Sequence, residues 1–265
     1  MARPGATKKK PSSGLDLRAL AATDPRAKRP GGLRTKRRAT REDLGLTKRE
    51  FAVLRRLSTP EKIQKYLLEM PQNFELDGDS CATVRMVLRD NRAHCIEGAF
   101  IAAAALWIHG EPPLLLDLRA KNDSDHVVTL FRRKGHWGCI SKTNGPDLRW
   151  RDPIYRTLRE LALSYVHEYS NRRDHKSLRE YSVPYDLRRA KLEDWVTGLE
   201  GAWTIAEKLD EIRHYPLVSK AQVGMLVRRD PFEREVAMLT QYKKPPKPKK
   251  QPAKISPRHH RGGSK

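Results

Sequence analysis

The sequence contains few cysteines and no long hydrophobic run. It has three cysteines in 265 residues, at positions 81, 95 and 139, and none belongs to a Cys-x-x-Cys pair. A disulfide framework and a cysteine-rich zinc site are therefore excluded. No apolar run reaches the ~20 residues that a membrane-spanning helix needs, and no apolar stretch follows the basic first residues as it would in a secretory signal. We therefore expect a cytoplasmic protein in which each thiol either packs or reacts.

Acidic residues are almost absent from the two ends of the chain. The sequence carries 54 Lys and Arg against 32 Asp and Glu, a formal charge of +22. Residues 1–41 hold 13 basic and 2 acidic residues, and residues 242–265 hold 9 basic residues and no acidic one, which leaves the middle with +2. Polar, Lys-rich and Pro-rich ends bury too little apolar surface to fold. We predict disordered basic tails at 1–45 and 242–265, a folded domain at 46–216, and the end of the domain or a linker at 217–241.

Hydrophobic periodicity predicts helices on both sides of a short β region. Helical patterns cover residues 46–57, 60–70, 82–88, 93–109, 154–165 and 192–212, and β-like runs cover 114–118, 126–131 and 137–140. The segment 93–109 is apolar on almost every side, and a helix without a polar face belongs in the middle of a core. This order of elements predicts an α+β fold whose central helix packs on an antiparallel sheet.

Cys95 and His126 are the residues best placed for chemistry. Cys95 falls in the first turn of the predicted central helix, where unpaired N–H groups and the helix dipole favour a thiolate and lower the pKa of the thiol. A nucleophilic cysteine also needs a base, and His126 opens a predicted strand 31 residues later. The competing interpretation is a buried cysteine that only packs, which is common.

Several residues in this part of the chain resemble the transglutaminase-like (papain-like) cysteine superfamily. The resemblance covers about residues 80–155: a helix from Cys95 to a Gly110-Glu-Pro turn, a strand beginning His126-Val-Val-Thr, and Trp137 on the next strand. It implies a cysteine peptidase, deamidase or acyl transferase that acts on an amide of a protein or peptide. Cys95 would form a thioester, His126 would transfer the protons, and no metal or organic cofactor would be needed.

The third member of the family's site differs in this sequence. The family pattern has Asp-Pro about four residues beyond Trp137, where this chain has Ser141. Asn144 would orient the imidazole, as an asparagine does in papain-like proteases, and Asp152 belongs to a displaced Asp-Pro pair. We predict Asn144, ahead of Asp152 and then Ser141.

The missing carboxylate leaves a second hypothesis open. It is an inactive domain of the same fold that serves as a binding module, held nonspecifically on nucleic acid by counterion release at its basic tails. The tails would otherwise only keep the protein soluble.

Two residues near Cys95 and the two other cysteines are interpreted without a role as nucleophile or base. His94 adds positive charge near the thiol or caps the helix, and Glu97 is a solvated or salt-bridged acid. Cys81 and Cys139 are predicted to be unreactive packing residues.

Overall fold

The computed structural model describes residues 38–246 of the chain. Four helices come first: α1 (Lys48–Arg56), α2 (Pro60–Glu69), α3 (Val84–Asp90) and α4 (Cys95–Ile108). The first three follow threonines 47, 59 and 83, whose hydroxyls accept an N–H of the first turn that the helix itself cannot pair. The four helices predicted here are confirmed, with boundaries shifted by at most two residues.

Seven strands of the described residues form one antiparallel sheet: β1 (Leu114–Ala120), β2 (His126–Arg133), β3 (His136–Ile140), β4 (Arg151–Tyr155), β5 (Leu178–Ser182), β6 (Tyr185–Asp186) and β7 (His214–Pro216). Their order in the sheet is β4-β3-β2-β1-β5-β7, with β6 paired to the start of β1. Alternate side chains of β1–β3 belong to two separate cores. One core contains α4, and the other contains helix α5 (Leu158–Leu163). The predicted α+β class with an antiparallel sheet is confirmed.

Helix α4 lies in the middle of the larger core. Nearly all its residues are buried, and it packs on α1, α2, α3 and β2. Gly110 follows its end with φ +84°, a conformation that favours glycine. The predicted central position of this apolar helix is therefore confirmed.

Two of the predicted helices are wrong in part. The predicted helix at 154–165 begins only at Leu158, because Arg151–Tyr155 pairs with β3 as the edge strand β4. The predicted helix at 192–212 is a 3₁₀ turn (Leu192–Asp194) followed by α6 (Trp203–Glu211). Gly201, with φ +101°, lies between the two pieces. Strands β5, β6 and β7 were not predicted.

The folded unit also begins earlier than predicted. Residues 38–45, assigned from the sequence to the N-terminal tail, belong to the fold: Leu44 is fully buried, and the Ala39 N–H donates to the Trp107 carbonyl. At the other end, 217–241 contains the short helices α7 (Lys220–Met225) and α8 (Pro231–Ala237). The predicted disorder of 1–37 and 247–265 lies outside the described residues. Within residues 38–246, no helix is both long and apolar enough to cross a lipid bilayer.

Candidate active site

Cys95 and His126 line one cavity of about 660 Å³. Cys95 is the first residue of α4, and His126 is the first residue of β2, the strand that packs on α4. The imidazole of His126 interacts with the Cys95 thiol and lowers its pKa. The structure thus brings together the two residues that the sequence singled out.

Ser141 holds the other ring nitrogen of His126. Nε2 lies 2.8 Å from Ser141 Oγ, and that hydroxyl lies 2.5 Å from the carbonyl oxygen of Leu148. Because a carbonyl only accepts, the hydroxyl donates to Leu148 and accepts from Nε2–H, which leaves Nδ1 of His126 for the sulfur. The side-chain amide of Gln64 fixes the Ser141 backbone, since it donates to the carbonyl at 2.8 Å and accepts from the N–H at 2.9 Å.

The hydrogen bond to His126 that the sequence predicts for Asn144 is made by Ser141 instead. Asn144 lines the same cavity, but its side-chain amide is bonded to the backbone of Tyr242. Asp152 lies in β4 and accepts a hydrogen bond from the indole of Trp150 at 2.8 Å. Of the three candidates only Ser141, directly after β3, is hydrogen-bonded to the ring.

A second histidine, His94, also reaches the sulfur. Its Nδ1 lies 3.9 Å from Cys95 Sγ, while its Nε2 lies 2.9 Å from the carbonyl oxygen of Ser80 and 3.3 Å from Glu97 Oε1. Burial would lower the pKa of His94, but the hydrogen bonds to Cys95 and Glu97 raise it to about 11. His94 is therefore a protonated imidazolium at neutral pH and cannot act as a base there.

Glu97 is the buried counter-ion of His94. Its side chain is 0% exposed. Its oxygens accept hydrogen bonds from the Asn73 amide, the Ser80 hydroxyl and the backbone N–H groups of Ala82 and His94. Burial raises the pKa of Glu97, but His94 and these donors outweigh it and lower the pKa to about 2. Of the two interpretations of Glu97, the salt-bridged one is confirmed and the solvated one is wrong.

The thiol of Cys95 differs in ionisation from the thiols of Cys81 and Cys139. Burial raises the pKa of Cys95, but the hydrogen bonds with His126 and His94 outweigh it and lower the pKa to about 5. Burial raises the pKa of both Cys81 and Cys139 to about 12. At neutral pH only Cys95 is a thiolate, which is the nucleophilic form.

Lys142 is a residue of the cavity wall that sequence reasoning missed. It follows Ser141, is 1% exposed, and donates from Nζ to the carbonyl oxygen of Met70 at 2.6 Å. Burial lowers its pKa to about 8. Its stem crosses α4 at Gly98, one turn beyond Cys95, where a side chain would leave no room. No sequence signal marks a lysine at a strand end as buried.

Replacing Gly98 by alanine is expected to displace the Ser141–Lys142 backbone. The added Cβ would lie 2.5 Å from Lys142 Cβ. Overpacking of this kind costs typically about 1–3 kcal/mol of unfolding free energy. Urea unfolding measures the loss, with Gly224→Ala as the control, because Gly224 lies in the exposed helix α7 and its added Cβ would contact nothing within 4 Å. Equal unfolding free energies for the two variants would contradict the packing described here.

Among residues 38–246, no group of three or more His, Cys, Asp or Glu side chains is arranged to hold a metal ion. No protein-family model matches the chain, and none of the curated proteins matches its sequence. The case for a function therefore depends on the geometry of the site.

Proposed function

We propose that the protein is a transglutaminase-like cysteine enzyme that breaks an amide bond, in a peptide or a glutamine side chain, through a thioester at Cys95. The observation that carries the proposal is the Cys95 thiol, which lies at the start of a buried helix, lines the same cavity as His126, and has its pKa lowered by His126 and His94. The core fold would be the transglutaminase-like one. The three unpaired cysteines suit a reducing compartment such as the cytoplasm.

The two histidines would have different roles. His94 keeps its proton because Glu97 is bonded to it, so its charge stabilises the thiolate. In the described part of the chain, the imidazole of His126 is hydrogen-bonded to the Ser141 hydroxyl and to no carboxylate. His126 is therefore the residue that can give up and regain a proton during the reaction.

The acylation step uses both partners of the Cys95–His126 pair. The thiolate attacks the carbonyl carbon, and the C–N bond breaks as the leaving nitrogen takes the proton held between Sγ and His126 Nδ1. The first-turn N–H of Cys95 has no partner within the helix and is a natural donor to the developing oxyanion. Gln72 and Lys142 also line the cavity, where their side-chain nitrogens donate to the carbonyls of Asn73 and Met70.

The second step returns the enzyme to its resting form. His126 takes a proton from water, or from an amine, as this nucleophile attacks the thioester carbon. The C–S bond then breaks and the thiolate is released. Water gives a carboxylic acid, and a primary amine gives a new amide.

Selective alkylation of Cys95 at pH 6 tests the proposal. With a pKa of about 5 most of the Cys95 thiol is ionised at pH 6, whereas Cys81 and Cys139, with pKa values of about 12, are not. We expect iodoacetamide to label Cys95 alone, as mapped by peptide mass spectrometry, and the labelling to fall sharply in His126→Ala. Uniform or absent labelling of the three thiols would contradict the proposal and favour the inactive binding module.

The reaction itself can be identified by mass spectrometry. The protein is incubated with a set of glutamine-containing peptides, with and without a primary amine. Deamidation, peptide cleavage and amine incorporation give different mass changes, and Cys95→Ala is the control that should give none of them.

A further inference from the structure

A C-terminal strap, residues 227–242, runs along the edge of the Cys95 cavity. Its residues Ala237 and Met238 line the same cavity as Cys95 and His126. The strap contains helix α8 and ends at Tyr242, next to the loop that follows β3. A segment in this position limits what can enter the cavity from that side.

The end of the strap is held through its backbone by Asn144. The Gln241 N–H donates to the Asn144 carbonyl at 2.8 Å, and the Tyr242 N–H donates to Asn144 Oδ1 at 2.8 Å. Asn144 Nδ2 in turn donates to the Tyr242 carbonyl at 2.9 Å. Contacts of this kind recognise an extended peptide backbone whatever its side chains are.

The end of the strap also contacts the end of helix α2, and we call the space between Leu68 and Asn144 the groove. The carbonyl of Leu68, one of the last-turn carbonyls without a partner in the helix, accepts from Gln241 Nε2 at 2.6 Å and from the Tyr242 hydroxyl at 2.8 Å. The ring of Tyr242 lies 5.2 Å from Lys142 Nζ. An aromatic side chain is thus seated over the buried lysine, by a cation–π contact.

The strap is attached to the domain without any buried side chain. No residue between 218 and 246 is buried. Phe232, Met238 and Leu239 are exposed, and the start of the strap is held by Arg229 and Arg234 at Asp174. A segment held by surface polar contacts can open locally without unfolding the core.

We propose that the groove between Leu68 and Asn144 binds an extended segment of the polypeptide substrate, and that the strap occupies it in place of the substrate. This inference rests on the proposed function, because it names the substrate class of the same site. The strap competes with substrate inside the molecule. Substrates with an aromatic residue at the position of Tyr242 are favoured, because the aromatic ring can make the same cation–π contact with Lys142.

The variant Gln241→Ala/Tyr242→Ala of the full chain tests the strap. It removes both contacts with Leu68 and the ring over Lys142, so a bulky maleimide should label Cys95 on the order of tenfold faster than in the wild type. Phe232→Ala is the matched control, since Phe232 is an exposed strap residue. It should label at the wild-type rate.

A peptide with the sequence of residues 236–246 provides the second measurement. By fluorescence anisotropy it should bind to the double variant more tightly than to the wild type, and it should slow maleimide labelling of the variant. The same peptide with alanine in place of its tyrosine should bind more weakly. Asn144→Ala should release the strap and also lose the peptide.

The outcomes separate this inference from the proposed function. Equal maleimide labelling of wild type and double variant, or failure of the peptide to bind, overturns the strap inference and leaves the function standing if iodoacetamide still labels Cys95 at pH 6. Absence of that labelling in both proteins overturns the function itself.

Discussion

Replacement of His126 by alanine is expected to lower turnover of an amide substrate by about 10²–10⁴-fold at every pH. Of the two histidines that act on the Cys95 thiol, His126 is the one without a carboxylate partner in the described residues, and Ser141 holds its Nε2. Without it, no group delivers a proton to the leaving nitrogen or takes one from the attacking water. The measurement is kcat/KM as a function of pH, with the peptide that the mass-spectrometric assay identifies.

Replacement of His94 by glutamine should have a different effect, although His94 also reaches the sulfur. His94 stabilises the thiolate by its charge, so its loss raises the pKa of Cys95 above about 5. The acidic limb of the pH–rate profile should move to higher pH, and turnover should recover above the new pKa. If His126→Ala recovered at high pH and His94→Gln did not, the two roles would be reversed.

Ser141→Ala and Asn144→Ala form a matched pair for the third residue. Ser141 is hydrogen-bonded to His126, whereas the Asn144 amide is bonded to the strap. We expect Ser141→Ala to lower kcat and Asn144→Ala to leave the imidazole in place. A fall in kcat, as opposed to a rise in KM, that is confined to Asn144→Ala would restore the prediction made from the sequence.

The helix that carries Cys95 and the strand that carries His126 could be predicted because their signals are local. Segment 93–109 has no polar face, and Gly110 ends it, so its position in the core follows from the sequence alone. The same segment places Cys95 in a first turn. The strand that begins at His126 follows from a run of β-branched and apolar residues.

The third residue could not be predicted because contacts distant in sequence select it. Ser141 is hydrogen-bonded to Gln64, which is 77 positions away, and Asn144 is hydrogen-bonded to Tyr242, which is 98 positions away. No local pattern contains these pairings. The family pattern has a carboxylate at position 141, so it does not predict a serine as the partner of the imidazole.

The errors in the fold have the same origin. Leu158 and Leu161 do form a helical stripe, but the residues before them become β4 because the edge of β3 is available to pair. Pro153, which lacks an N–H, is tolerated in β4 because this is an edge strand. Strand β5 pairs with β1 about 60 residues earlier in the chain, which periodicity cannot show.

The contribution of the Cys95–His94 pair to the stability of the protein is expected to be nearly constant between about pH 6.5 and 9. The pKa of Cys95 is lowered from 9.0 to about 5, so its contribution is complete above pH 9.0 and is lost as the pH falls towards 5. The pKa of His94 is raised from 6.5 to about 11, so its contribution is complete below pH 6.5 and is lost as the pH rises towards 11. Between 6.5 and 9.0 the two slopes, each about 1.4 kcal/mol per pH unit, are opposite and cancel.

Replacing either Cys95 or His94 should reveal how the unfolding free energy contributed by the other residue changes with pH. In Cys95→Ala the unfolding free energy, relative to the wild type, should fall with pH above about 6.5. The Glu97 carboxylate still favours the protonated form of His94 in the folded protein, although the contribution of Cys95 to that raised pKa is lost. In His94→Gln the unfolding free energy, relative to the wild type, should rise with pH towards 9, because His126 still favours the Cys95 thiolate in the folded protein. Urea unfolding at half-unit pH steps measures both curves. A Cys95→Ala curve parallel to that of the wild type between pH 6.5 and 9 would contradict the combination of a Cys95 thiolate with a His94 that Glu97 alone keeps protonated.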